Sequence, residues 1–199
     1  MSAPKITLGL WCIFLLVWLV AAPFSRKTVR REPWSSRLRY LAGGVVSALL
    51  LHPAIRIPGL GEPSSQEWLR TGHVPQVGPV IGAVSVGLTA LGIAFAIWAR
   101  FTLGKNWSGT VTVKENHTLV ERGPYALVRH PIYTGLLLAF FGTFLSLGTH
   151  PVRLVLGVAA LTFALRAKMA TEERFMLDQF GEAYVDYRRR VRSLIPFVW

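Results

Sequence analysis

The chain has 199 residues, 52% of them hydrophobic and only 16% charged, with a formal net charge of +12 and one cysteine. That length suits one domain, the lone cysteine excludes an intramolecular disulfide and a cysteine-based metal site, and a mean hydropathy of +0.41 lies above that of soluble proteins. A charge of +12 on a soluble chain would point to nucleic acid. Here Lys and Arg stand between apolar runs, so anionic headgroups and membrane topology account for them, and no nucleic-acid partner is expected.

In chain order, Ile6–Phe24 is an uncharged apolar run of 19 residues. At ~1.5 Å per residue it crosses a ~30 Å hydrocarbon core. A basic loop follows it, with no small-residue cleavage site, so it reads as a retained helix. Cys12 within it is packing filler. Tyr40–Ile55 is a shorter candidate span interrupted by His52 and Pro53. Ser64–Arg70 reads as a short interfacial helix. Val77–Phe101 carries Gly78, Gly82, Gly87 and Gly92, a small-residue face that lets a neighbouring helix, or a lipid tail, come close. Ile132–Leu147 and Val152–Leu165 are separated only by Gly148, Thr149, His150 and Pro151, which predicts an antiparallel hairpin.

Five spans place 18 Lys and Arg on one side and only Lys5, Arg56, Arg70 and Arg153 on the other. Positive charge stays cytoplasmic, so the N-terminus is predicted outside and the C-terminus inside. Two polar blocks then share the cytoplasmic face: His117–Gly135, and the stretch from Lys168 to Pro196. Polar groups flanking one membrane hairpin suggest an enzyme acting on something dissolved in the bilayer.

Within the first block, Gly123-Pro124 and His130-Pro131 are turn and helix-start signals, and Pro131 suits a first helical turn where its missing N–H costs nothing. Arg129 and His130 then sit at a helix mouth whose free N–H groups and positive dipole favour a carboxylate or other anion. A basic cap on lipid phosphates is the competing reading. His130 has no His or Cys partner at ligand spacing, so no metal site is expected. In the second block the last span continues as one helix through Phe180, with Lys168 and Glu172 on one face. Glu172 and Glu173 point about 100° apart, too far to share one small ligand easily. Gly181 marks a break, and Ala183–Arg192 reads as a basic amphipathic piece on anionic lipid.

Together, HTLVERGPYALVRHPIYTG and EERFMLDQFGEAYVDYRRRVRSLIP resemble the isoprenylcysteine carboxyl methyltransferase family, over roughly Thr110–Pro196. More distantly they resemble phospholipid N-methyltransferases, which share the Arg-His-Pro and Glu-Glu elements. The resemblance implies S-adenosylmethionine as methyl donor, in a pocket of helices and loops rather than a Rossmann sheet. The chain indeed lacks a Gly-x-Gly-x-x-Gly motif. By motif, the cofactor contacts fall on His117, Thr118, Leu119, Val120, Tyr125, His130, Pro131, Ile132 and Tyr133. The family's substrate-side Arg and Glu fall on Lys168 and Glu172. Lys keeps the charge but loses the bidentate fork. A family Gln falls on Thr110.

The expected architecture is an all-α polytopic membrane protein of about five spans, with residues 1–109 as N-terminal helices and loops and 110–199 as the cofactor-binding core. A prokaryotic inner membrane and a cytoplasmic active site are expected. The leading functional reading is O-methylation of a carboxylate on a lipidated or isoprenoid acceptor drawn from the bilayer. Lys168 or Arg129 would anchor the carboxylate, Glu172 would orient that cation, and the tail would lie along the glycine face of Val77–Phe101. Lipid-amine N-methylation is the second reading, with Glu172 or Glu173 as base. A non-catalytic binding or assembly protein is the third.

Overall fold

The computed structural model describes residues 1–51, 77–108, 110, 112–114 and 118–196. His117, the end of the expected Tyr40–Ile55 span and the expected Ser64–Arg70 helix lie outside the described residues. Six α-helices are described: α1 Ala3–Ala21, α2 Trp34–Leu51, α3 Pro79–Leu103, α4 Pro131–Ser146, α5 Pro151–Phe180 and α6 Glu182–Arg190. Helices α1, α3, α4 and α5 each carry proline in their first turn, where no intrahelical N–H is needed. α3 and α5 each end at a glycine with positive φ, Gly104 at 55° and Gly181 at 53°, which turns the chain back without a Cβ clash.

Among the described residues, three helical stretches are long and apolar enough to cross a membrane: Ala3–Phe24, Pro79–Asn106 and Pro151–Phe180. Many of their large apolar side chains, among them Leu16, Leu19, Leu91 and Phe163, are exposed, as lipid-facing residues must be. α4 is apolar but has only 16 residues. α2 begins at Trp34, six residues before the expected Tyr40; its first turns carry Arg37 and Arg39, which a reading of apolar runs leaves out. The all-α expectation needs one correction. Thr28–Arg31 (β1) pairs antiparallel with Thr112–Lys114 (β2), Thr28 opposite Lys114 and Arg31 opposite Thr112. The partners are some eighty residues apart, so no local pattern announces the pairing.

The helices pack as two close pairs. In the first, α3 presents Ser85, Thr89, Gly92 and Ala96 to Gly142, Ala139 and Gly135 of α4. A Cβ on Gly92 would lie 2.5 Å from the Ala139 nitrogen, and one on Gly142 would lie 2.7 Å from the Ser85 oxygen. Thr89 Oγ1 donates to Ser85 O at 2.9 Å, which hides its hydroxyl at the seam. The small-residue face is therefore real, but it is not the expected glycine row: Gly87 is exposed and a Cβ there would meet nothing. Because α4 fills that face, it offers no path for a lipid tail. In the second pair, Gly43 of α2 meets Ala164 of α5, Gly157 meets Leu51, and Ser47 Oγ donates to Gly157 O at 2.9 Å. The buried Arg153 of α5 donates from Nε to Leu50 O at 3.0 Å.

α1 closes onto the first pair through Phe14, which packs with Ile93, Ala96 and Ala139. α4 and α5, consecutive in sequence, touch each other much less than α4 touches α3 or α5 touches α2. The candidate site lies at their polar ends, where side chains of the two helices meet.

Candidate active site

A cavity of about 330 Å³ opens where α1, the α3 terminus, the start of α4, the polar end of α5 and α6 converge. Ten of the residues expected from sequence line it: Thr118, Leu119, Val120, Tyr125, Arg129, His130, Ile132, Tyr133, Lys168 and Glu172. Thr110 lines it as well. Pro131 is buried but does not face the cavity; it starts α4. His117 lies outside the described residues.

The loop wall is set by hydrogen bonds between segments distant in sequence. Asn106 Nδ2 donates to Thr118 Oγ1 at 2.9 Å, and the Arg26 backbone N–H donates to Lys105 O at 3.0 Å. The buried Arg100 donates to Ala21 O at 2.6 Å and to Gly104 O at 3.0 Å, tying the ends of α1 and α3 together. Its guanidinium lies 4.3 Å over the Trp107 ring, which meets Trp18 of α1 edge-on at 5.5 Å. Phe14, Trp18 and Trp107 all line the cavity, so α1 contributes to a site that sequence reasoning placed wholly after residue 110. The signal available was weak: Trp11, Phe14 and Trp18 repeat at helical spacing, as ordinary core aromatics also do.

The first block of the site is clamped to the C-terminal segment. Arg129 N–H donates to Arg192 O at 2.8 Å and His130 N–H to Ser193 O at 3.0 Å, around a parallel bridge between Val128 and Arg192. Thr134 Oγ1 donates to Leu194 O at 2.7 Å. The backbone N–H groups of Arg129 and His130, just before this helix mouth, are therefore engaged by residues 192–193. α6 likewise differs from the lipid-surface helix expected. Its Tyr184 and Tyr187 are buried against Leu119, Met176 and Phe180, and both line the cavity. Tyr187 Oη donates to Tyr125 O at 2.7 Å.

The charged centre joins α4 and α5. Tyr133 Oη donates to Glu172 Oε1 in a short bond. His130 lies between the adjacent acids, Nδ1 3.4 Å from Glu172 Oε2 and Nε2 3.3 Å from Glu173 Oε1. Both carboxylates thus converge on one imidazole, although they diverge on the helix, because its two nitrogens face opposite ways. Arg129 donates to Glu173 Oε1 from Nε at 3.0 Å and Nη2 at 2.7 Å, and its Nη1 donates to Val191 O. Arg129 therefore holds the C-terminal segment to α5. Lys168 Nζ lies 5.4 Å from the ring centroids of both Tyr40 and Tyr133.

These groups lie beyond the apolar part of α5, and their protonation follows from the contacts. Burial disfavours charged His130, but hydrogen bonds to Glu172 and Glu173 outweigh it and raise its pKa above the ordinary value. Burial raises the Glu173 carboxyl, but His130 and Arg129 outweigh it and hold it at about 2. For Glu172 the same competition, won by His130, Lys168 and Tyr133, leaves its pKa below the ordinary value. A raised histidine pKa contributes stability below the unfolded value of about 6.5, and that stability is lost as pH rises through the folded value. The stability gap between the native protein and His130→Asn is therefore expected to be widest below pH ~6.5 and to narrow as pH rises above it. Denaturant titrations across that range check this; a gap that widens with pH would refute the imidazolium assignment.

Long apolar helices with outward-facing apolar side chains, and a cavity at one helix end, mark a helical integral membrane protein. Residues 80–183 match the family model "Phospholipid methyltransferase", and the chain belongs to that family. It is 34% identical over 116 residues to the protein-S-isoprenylcysteine O-methyltransferase of Schizosaccharomyces pombe, covering 57% of this chain and 49% of that one. It is 36% identical over 129 residues to the cobalt-zinc-cadmium resistance protein CzcN of Cupriavidus metallidurans, covering 63% of this chain and 55% of that one. The chain thus spans about half the length of these curated relatives. Among solved structures, the eukaryotic intramembrane Ras methyltransferase ICMT superposes with a TM-score of 0.57 at 24% identity, covering 84% of this chain and 55% of that one. That similarity establishes a common fold. Among the described residues no group of three or more His, Cys, Asp or Glu could hold a metal ion.

Proposed function

We propose that the chain is an S-adenosylmethionine-dependent membrane methyltransferase that esterifies a carboxylate on a lipidated or isoprenoid acceptor. The observation that carries this reading is one cavity shared by two sets of residues: Thr118–Val120, Tyr125 and Tyr133, and, from α5, Lys168 and Glu172. The cavity fits the cofactor in size, at the lower end of the ~300–1,000 Å³ usual for ligand pockets. It also fits in chemistry. Aromatic faces from Trp18, Trp107 and Tyr125 suit a purine and a cation.

When bound, the cofactor supplies an electrophilic methyl group on a sulfonium. Thr118, Leu119, Val120, Tyr125, His130, Ile132 and Tyr133 would hold it, with His117 beside them in sequence. Lys168 would anchor the acceptor carboxylate, and Glu172 would orient Lys168 and balance positive charge. Arg129, already bonded to Glu173 and Val191, would keep the wall in place. The cavity excludes water and aligns the reactants; an acceptor carboxylate is already nucleophilic and needs no base. An amine acceptor would need one, and Glu172, whose pKa His130 holds down, suits that task poorly.

If Lys168 and Glu172 serve the acceptor, Lys168→Ala and Glu172→Gln should each lower methyl transfer by at least ~10-fold, about 1.4 kcal/mol of transition-state stabilisation. Cofactor affinity should change much less. Labelled-methyl transfer to native membrane lipid and to an S-farnesylcysteine acceptor tests this, with base lability of the product separating ester from amine. Near-normal turnover in both variants would reduce the pair to a surface contact worth under ~1 kcal/mol.

The same reading includes five spans, an external N-terminus and a site facing the cytoplasm of a prokaryotic inner membrane, supported by the 18-to-4 charge split. With Cys12 replaced, a cysteine at Ser65 should react with an impermeant external reagent and one at Ser108 should not. The opposite pattern would invert the topology.

A further inference from the structure

We infer that Tyr40, on α2 and outside the residues that match the family model, is a positioning residue that presents the Lys168 ammonium to an acceptor carboxylate. The inference rests on the functional reading above and extends it to the class of acceptor headgroup. Lysine is a point charge on a flexible four-carbon stem, so it does not orient an anion by its own geometry. Here two rings supply the constraint. The Lys168 ammonium is 5.4 Å from the Tyr40 centroid on one helix and 5.4 Å from the Tyr133 centroid on another. Both distances fall within the ~6 Å over which an aromatic face attracts a cation.

Each ring is itself fixed. Tyr133 donates its hydroxyl to Glu172. Tyr40 donates its hydroxyl to Glu32 Oε1 at 2.7 Å, and Glu32 is 4% exposed with Arg37 Nε 3.5 Å away. The close packing of α2 on α5 through Gly43 and Ala164 sets the distance from Tyr40 to Lys168. Lys168 lines the cavity and Tyr40 does not, so Tyr40 acts through Lys168.

The charge of the headgroup follows. A fixed ammonium repels a sulfonium and repels a protonated amine, and it attracts a carboxylate. Lys168, balanced by Glu172 one helical turn along, adds a positive charge to the described lining that discriminates an anionic acceptor from an amine or an amide.

The experiment uses the full chain in lipid nanodiscs with N-acetyl-S-farnesylcysteine as acceptor and its carboxamide as competitive inhibitor. Loss of a half-buried cation–π partner predicts that Tyr40→Ala raises the KM of the acid about fivefold. The inhibition constant of the carboxamide and the KM of the cofactor should stay within about twofold, and Tyr40→Phe, which keeps the ring, should recover most of the loss. Equal rises in all three constants, or an unchanged preference for acid over amide in Tyr40→Ala, would overturn the inference and leave the functional reading standing. Absence of transfer to the acid by the native chain would overturn that reading, and the inference with it.

Discussion

Glu173→Ala is expected to destabilise the folded protein by about 3 kcal/mol and to release the C-terminal segment. The carboxylate accepts two hydrogen bonds from Arg129, lies 3.3 Å from His130 Nε2 and 3.6 Å from Arg188 Nε, and is 15% exposed. Removing one partner of a buried pair leaves the other charge uncompensated, which costs ~3–5 kcal/mol. Here three cationic groups lose this partner, one of them the arginine that holds Val191 O, so residues 191–196 should become protease-sensitive. Glu173→Gln should recover only part of the loss, since an amide accepts a hydrogen bond but carries no charge. Asp178→Ala is the control: its ion pair with Arg30 is 56% exposed on both sides and should be worth under ~1 kcal/mol. Denaturant titration and limited proteolysis check both. Equal effects of Glu173→Ala and Asp178→Ala would show that the charged centre does not hold the segment.

Gly92→Val should prevent recovery of folded protein. A side chain there would collide with the Gly135 carbonyl and lie 2.5 Å from the Ala139 nitrogen, and these are backbone atoms of a helix that cannot retreat alone. Overpacking a relaxed core costs ~1–3 kcal/mol; parting two helices along a small-residue seam forfeits its van der Waals packing as well. Gly87→Val, five residues away on the open face, should express and elute normally. Size-exclusion profiles in mild detergent distinguish the two. A monodisperse, active Gly92→Val protein would contradict the α3–α4 packing.

That contrast also shows what the sequence can and cannot carry. Helices α1, α3, α4 and α5 were legible because apolar runs, proline starts and glycine stops are local signals, and each was foreseen to within a few residues. Which glycines sit at a seam was not legible: Gly82 and Gly92 face a neighbour while Gly87 does not, and partner choice is a long-range fact. The loop and α4 side of the site followed from its motif. The contributions of Phe14, Trp18 and Trp107 did not, since core aromatics have the same spacing. Neither did the β1–β2 pairing or the engagement of Arg129 by Glu173, which join residues far apart in sequence. Helical geometry correctly separates Glu172 from Glu173; it does not reveal that one histidine bridges them.

Titration calorimetry of the detergent-purified chain with S-adenosylmethionine tests the central claim most directly. Saturable binding at one site is expected, weakened about tenfold or more by Tyr133→Ala, which removes a cavity-lining ring and the hydrogen bond to Glu172. No heat of binding by the native chain, or the same affinity in folded Tyr125→Ala, His130→Ala and Tyr133→Ala variants, would contradict it.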